Sequence, residues 1–399
     1  MASRARFIDI HILQSVPFAN LNRDDTDSVK TVLYGNALRT RVSSQCWKRA
    51  TRMEFERLTG ESTLRTRRIA TAVAAELAGR GWPQELAERA AAHVAAAVGK
   101  FELAEEGDPK KAVPNRVVTN AMIYVPHIAV RELADLADEH RAVLEKAKDI
   151  VKKGDTKASV MPKDKVDAVL RSRNAVINLF GRMLAEVDRA GVDGAVQVAH
   201  AMTAHETDAD LDYFTAVDDI TSAWQDSTGS AHMGHAEFSA GTFYRYATID
   251  LDELTGNLAG STTDVQRLLA DFLTAFTLAV PQAKKNSTAP HTLPHLVHLA
   301  VRADRPVSYA AAFEQPVRPT AAHSGNAAPS VQALTGYADA TAAFLGTRAL
   351  LARAWTSPEI KDLPGEAKDA LGARADCLDA LITSITHSAL AVPAEGVPA

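Results

Sequence analysis

Residues 41–52 read RVSSQCWKRATR, and this stretch orders the reading of the whole chain. Ser43, Ser44 and Gln45 stand just before a run with helical character, and a hydroxyl residue at that place is an N-cap signal. At 3.6 residues per turn, Lys48 and Arg52 fall on one face, Arg49 faces away from Lys48, and Ser44 and Gln45 sit at the helix start. Free backbone N–H groups, hydroxyls, an amide and a basic stripe at one helix end suit phosphate groups. The pattern suggests a phosphodiester backbone held without reading its sequence. Taken alone, the same residues also describe a solvated basic helix face.

Outward from this stretch, Phe7–Val16 (FIDIHILQSV) predicts a strand and residues 20–35 a polar, Asp-rich loop. A helix is predicted over 43–58, and Ala-rich helices over 67–80 and 83–99, split by Gly81-Trp82-Pro83. A charged loop over 102–114, a strand over 117–125 and a long amphipathic helix over 126–153 follow. Next come a basic linker (154–162), a helix (163–173) and a candidate strand at Ala175–Phe180. Residues 192–202 are apolar but ambiguous. Residues 203–240 are polar and acidic, and Gly241–Asp250 (GTFYRYATID) is a convincing strand. Helices are predicted over 262–280 and 329–355, a strand over 296–302, and a frayed Pro/Ala-rich tail after Ala391. Interspersed strands and helices point to an α+β core carrying accessory elements.

The chain has 399 residues and is 46% hydrophobic, enough for a substantial core. No apolar run is long enough to span a bilayer. Asp9, His11 and Gln14 interrupt the only N-terminal apolar stretch, so no membrane or secretory role is expected and the protein is read as cytoplasmic. Two cysteines, Cys46 and Cys377, form neither a disulfide framework nor a metal set. The net charge of −5 hides strong segregation. Residues 30–68 carry ten Lys/Arg against three Glu, and residues 141–173 carry ten against five acids. Residues 206–253 carry eleven acids against Arg245 alone. Basic surfaces of this kind bind phosphates, whereas the acidic one repels them or meets a basic partner face.

Two metal readings arise from the residues. Asp24 and Asp25 could hold Mg²⁺ in a metal-dependent ribonuclease, but no second acid cluster or general base accompanies them. A loop held by Asx-type hydrogen bonds is the favoured reading. His291, His295 and His298 have zinc-like spacing on a helix, but Pro294 argues against a helix and no Glu completes an HExxH pattern. No metal and no cofactor is therefore expected.

Several longer segments stand in register: Leu21-Asn22-Arg23-Asp24-Asp25, the 41–52 stretch, Gly60-Glu61-Ser62-Thr63-Leu64-Arg65-Thr66 and Val192-Asp193-Gly194-Ala195. Further on come Asp212-Tyr213-Phe214-Thr215-Ala216-Val217-Asp218-Asp219, Gly229-Ser230-Ala231-His232-Met233-Gly234 and Glu237-Phe238-Ser239, then Phe243-Tyr244-Arg245-Tyr246-Ala247. From about Phe7 to about Pro319, this order resembles the CasC family, the repeated backbone subunit of the type I-E CRISPR surveillance complex Cascade. The resemblance implies an RRM-like (ferredoxin-like) palm with a helical fingers insertion and a protruding thumb hairpin. On this chain the palm would cover 1–66 and 175–320, the fingers 67–174 and the thumb 204–240. C-terminal helices would fill 321–390, and 391–399 would be a flexible tail.

It also implies a non-catalytic subunit that stacks head to tail along a guide crRNA, with other Cascade subunits, and presents the guide for pairing with a target DNA strand. Ser44, Gln45, Lys48 and Arg52 match the family's phosphate-holding positions, with Arg52 where relatives carry Lys. Arg49 is a weaker candidate for RNA contact, and Arg23 matches another RNA-contacting position. Met183, after Gly181-Arg182, matches a wedge beside a displaced nucleotide. Tyr213, Phe214 and Thr215 match the thumb contacts, with Tyr213 where Trp is usual. Lys146, Lys148, Lys152, Lys153 and Lys157 fall where fingers lysines would reach target DNA. The acidic Asp208, Asp210, Asp218 and Asp219 are expected to meet a neighbouring copy's basic surface or anchor the thumb base.

Overall fold

A computed structural model describes residues 4–103, 117–184, 187–217, 230–259, 264–321, 324–346, 348–363 and 369–391. The chain forms two compact units. One comprises 1–55, 196–252 and 264–399, and the other 56–195 and 253–263.

The first unit is a mixed α/β body built on a ten-stranded, mostly antiparallel sheet. Across it run Ala373–Arg374, Leu350–Thr356, Leu296–Arg302, Phe7–Ala19, Ser230–Asp250, Ala201–Thr203, Ala37–Val42 and Thr31–Tyr34. Asp210–Val217 and Val196–Val198 also pair with Ser230–Asp250. The central strand places Ile10 opposite Ala247 on one side and Leu299 on the other. From Phe7 to Gln14 it is buried without a break, because both faces are covered.

The polar residues of this strand are buried with partners. Asp9 pairs with Arg302 at 2.7 Å and accepts from Tyr246 Oη at 2.9 Å. Burial still pushes the Asp9 carboxyl above its ordinary range. The His11 ring stacks on Tyr309 at 4.0 Å between centroids. Gln14 accepts from Arg245 and donates to the Thr292 carbonyl at 2.7 Å. One apolar cluster gathers Leu13, Tyr244, Phe313, Leu334 and Trp355, and a second gathers Val16, Leu21, Val42, Trp47 and Phe243.

The second unit packs helices Ile69–Gly79, Gln84–Val98, Ala129–Glu139 and Lys163–Leu170 around one core. Ala87, Ala90, Ala91 and Ala95 are fully buried, so small side chains let these helices approach closely.

Several elements differ from the sequence reading. Ala175–Phe180 is a helix, because the Asn174 side chain accepts from the Ile177 N–H and caps it. A short buried apolar run carries no period that separates helix from strand. The predicted 126–153 helix is only Ala129–Glu139 with a short turn at Arg141–Leu144, and Lys146, Lys148, Lys152, Lys153 and Lys157 lie beyond it. The break is at His140, whose Nδ1 engages the Leu136 carbonyl at 2.9 Å. The 117–125 strand is two strands, Val117–Thr119 and Ile123–Pro126. The 329–355 helix ends at Leu345, after which Leu350–Thr356 is a strand on the main sheet. The C-terminal region expected to be helical thus also contributes sheet.

Candidate functional site

The Ser44–Thr59 helix begins where the Ala37–Val42 strand ends. Ser43 is its cap: Ser43 Oγ accepts from the Cys46 N–H at 3.3 Å, and the Ser43 N–H donates to Asn22 Oδ1 at 2.8 Å. Trp47, Thr51 and Phe55, spaced by four, form the buried face. The Arg245 guanidinium lies 3.9 Å from the Trp47 ring centre. That guanidinium is fully buried and donates to Gln14 Oε1 at 2.6 Å, to the Thr277 carbonyl at 3.3 Å and to the Phe276 carbonyl. Desolvation lowers its pKa to about 9. The inner face of the helix is therefore anchored, which fixes the direction of the outer one.

The outer face carries Lys48 and Arg52, both half-buried, and the exposed Gln45 and Arg49. The Lys48 side chain makes no hydrogen bond or ion pair among the described residues, and desolvation lowers its pKa. Ser44 Oγ contacts Gln45 Oε1 at 3.3 Å, and the Ser44 N–H donates to His200 Nδ1 at 3.1 Å. Arg41 Nη1 donates to the same nitrogen at 3.1 Å. His200, Arg41 and Lys30 thus join this corner. The sequence reading missed all three as site residues. Arg41 and Lys30 were signalled only as part of a basic segment, and His200 lies on a distant segment with no motif of its own.

The Asn20–Lys30 loop braces the corner. Asp24 Oδ1 accepts from Thr26 N at 2.9 Å, Thr26 Oγ1 at 2.8 Å and Ser28 N at 3.0 Å. These bonds, the Thr26 hydroxyl foremost, hold the Asp24 carboxyl below its usual range. This is the Asx-type loop favoured from the sequence, and its carboxylate is engaged within its own turn. Arg23 is exposed and bound to Asp27 Oδ1 at 2.8 Å, an ion pair open to exchange in water. Cys46 Sγ donates to the Leu21 carbonyl at 3.4 Å, and burial raises its pKa, so it packs the helix against the loop.

The same loop reaches the long hairpin of Asp210–Val217 and Ser230–Asp250. Asn20 Nδ2 donates to the Glu237 carbonyl at 2.9 Å, and Val29 N donates to Glu237 Oε2 at 3.1 Å. In the hairpin Tyr213 faces His235, Phe214 faces Gly234 and Thr215 faces Met233. Tyr213 and Phe214 are 61% and 46% exposed, so neither is a core aromatic. A Cβ on Gly234 would come within 2.6 Å of the Phe214 ring, so the absence of a side chain there makes room for the ring. Asp208, Asp210 and Asp212 are exposed on this segment, while Asp218 and Asp219 lie outside the described residues.

The first unit thus brings together Arg23, the Ser44–Arg52 face and the Tyr213–Thr215 hairpin. Met183 and the five lysines belong to the second unit. Met183 is 88% exposed, which excludes a core role, and the five lysines are all exposed. Two of the three histidines of the zinc reading are engaged separately. His298 is buried with Nδ1 on the Ala354 carbonyl at 3.0 Å, and His295 Nε2 meets Ser15 Oγ at 2.9 Å. Among the described residues no group of three His, Cys, Asp or Glu is arranged to hold a metal ion. No helix is long and apolar enough to cross a membrane among them.

Comparison with known proteins gives a consistent picture. Among curated proteins none matches. Among solved structures, a chain of a CRISPR RNA-guided surveillance complex in a pre-nicking form is 43% identical, with a TM-score of 0.84. That alignment covers 96% of this chain and all (100%) of the other. A chain of another CRISPR RNA-guided surveillance complex is 39% identical, with a TM-score of 0.75, over 96% of this chain and 99% of its own length. Residues 8–384 match a family described as CT1975-like protein, and the chain belongs to that family.

Proposed function

We propose that this protein is a non-catalytic backbone subunit of a type I-E CRISPR surveillance complex, gripping guide RNA through its phosphates and stacking in repeated copies. The observation that carries the reading is Lys48: a half-buried ammonium with no ion-pair partner among the described residues, on the anchored helix that starts at Ser44. Burying a cation without a partner is unfavourable, and an arriving phosphate removes that penalty. The likeness to chains of two RNA-guided surveillance complexes supports a role in such a complex.

In this reading Ser44, Gln45, Lys48 and Arg52 hold phosphates, with Arg49 and Arg23 at the margin. Tyr213, Phe214 and Thr215 form a thumb that packs against bases, and Met183 wedges beside a displaced nucleotide. Lys146, Lys148, Lys152, Lys153 and Lys157 attract the target DNA strand. The palm, fingers and thumb of the family plan, a cytoplasmic location and contacts with other Cascade subunits belong to the same proposal. Specificity comes from base pairing, so the protein needs only shape and charge.

Co-expression with a CRISPR transcript tests it. RNA of uniform length should co-purify on oligomers of this chain. A monomer free of RNA overturns the reading.

A further inference from the structure

We propose that His200 is a positioning residue of the phosphate grip, and that guide RNA binding at this corner takes up a proton on His200. The inference rests on the RNA-binding reading and adds a regulatory property to the same site.

The argument begins with hydrogen-bond direction. His200 Nδ1 lies 3.1 Å from the Ser44 backbone N–H and 3.1 Å from Arg41 Nη1. A backbone amide and a guanidinium can only donate. Nδ1 must therefore accept both bonds, which fixes the free protein in the neutral tautomer with the proton on Nε2. The charged groups acting on the ring are Arg41, from the Ala37–Val42 strand, and Lys30, from the Asn20–Lys30 loop. The Ser44–Thr59 helix presents to it the Ser44 N–H. Burial first, then these two cations, hold the imidazole below its ordinary pKa, so it is neutral near pH 7.

Neutral His200 thus occupies two donors that a phosphate would use, the Ser44 N–H and the Arg41 guanidinium. Protonation of Nδ1 ends both bonds, because a protonated nitrogen cannot accept. It frees the amide and the guanidinium and adds a third cation. An anion at the corner reverses the local charge and stabilises the imidazolium. The complex then binds this proton more tightly than the free protein does. Affinity for RNA must therefore rise as pH falls below the pKa of the complex, and stop rising below the lower pKa of the free protein. Above the pKa of the complex it is independent of pH.

The test measures binding of a single-stranded RNA oligonucleotide to purified full-length protein at constant ionic strength, from about pH 8 to about pH 5.5. Wild type and His200→Gln are compared, since glutamine can accept through Oε1 but does not titrate. Wild type should bind about three- to tenfold more tightly at the acid end, one proton allowing at most about tenfold per pH unit. His200→Gln should lose that rise, so the pH slope, and not the affinity at any one pH, is the quantity compared. Calorimetry in buffers of different ionisation heat should show proton uptake in wild type that H200Q lacks. A slope or proton uptake that persists unchanged in H200Q overturns the inference while leaving the RNA-binding reading standing. Absence of RNA binding by wild type at every pH overturns both.

Discussion

Arg245, packed on the Trp47 ring, and Lys48, which follows Trp47 in the chain, have opposite surroundings. Arg245 lies under Trp47, fully buried, with its guanidinium on Gln14 and two backbone carbonyls. Lys48, the residue after Trp47, is half-buried and its side chain has no such partner among the described residues. Burial depresses both pKa values, to about 9 for Arg245. The difference lies in what the protein provides around each. A cation surrounded by fixed acceptors is held by the architecture, whereas in the proposed function the one left without them meets a phosphate.

If the contrast holds, removing the first cation should damage the fold and removing the second should damage only binding. Arg245→Ala strips the Phe276 and Thr277 carbonyls and Gln14 Oε1 of their donor and leaves Trp47 over a void. A loss of about 3–5 kcal/mol in unfolding free energy is expected. A shifted urea midpoint with an unchanged slope would measure it. An Arg245→Ala protein of native stability would break the comparison at its stronger end.

The next effect concerns acid. His298 is buried on the central sheet and burial lowers its pKa to about 3, while the buried His11 beside it is also held well below its ordinary value. In the unfolded chain both take up protons near pH 6.5, about the ordinary value. Between about pH 6.5 and about 3 the unfolded state therefore binds more protons, so stability falls as pH falls through that window. The fall should reach a few kcal/mol by about pH 4 and be smaller in His298→Phe. Urea midpoints measured across the range would show it. These buried histidines contrast with exposed His200, whose proposed titration would alter the grip and leave the fold alone.

Lys48→Ala with Arg52→Ala tests the weaker end of the comparison. The fold should be retained, since neither residue belongs to the buried Trp47–Thr51–Phe55 face. RNA affinity should drop about a hundredfold, and the slope of log affinity against log salt should decrease by about 1.4, at about 0.7 for each phosphate no longer neutralised. Titrations at several salt concentrations would measure both. RNA retention at wild-type levels would mean the helix has another role.

How far the sequence displayed these features follows from the range over which each is determined. The Ser43 cap and the Lys48/Arg52 stripe depend on spacing within one helix, and both were legible; the buried Trp47, Thr51 and Phe55 face of the same helix was not read from the sequence. The strand Leu296–Arg302 was legible in full. Ala175–Phe180 was misread because its helical state depends on one cap from Asn174. Leu350–Thr356 was misread because it is a strand through pairing with Leu296–Arg302. His200 escaped notice for a similar reason: it reaches Ser44 across more than a hundred and fifty residues of intervening chain, by sheet topology alone. Charge segregation indicated that a basic surface existed, but not that Arg245 would be interior while Lys48 has no ion-pair partner among the described residues.

The smallest effect tests shape apart from charge. Phe214 projects from the long hairpin with its ring over Gly234, half-exposed and held by a gap where any side chain would collide. Its proposed part is to pack against bases, so Phe214→Ala should weaken RNA binding by about 1 kcal/mol per site and leave the salt slope unchanged. Gly234→Ala should have a related effect by another route. The new Cβ would come within 2.6 Å of the ring, which must swing aside while the residue itself remains. If the ring's position matters, both variants should show the same altered pattern of nuclease protection along the bound RNA. If only its apolar surface matters, Gly234→Ala should behave as wild type. A change in salt slope in either variant would place charge, and not packing, at the hairpin, and would remove the distinction between a helix that grips phosphates and a hairpin that spaces the grips.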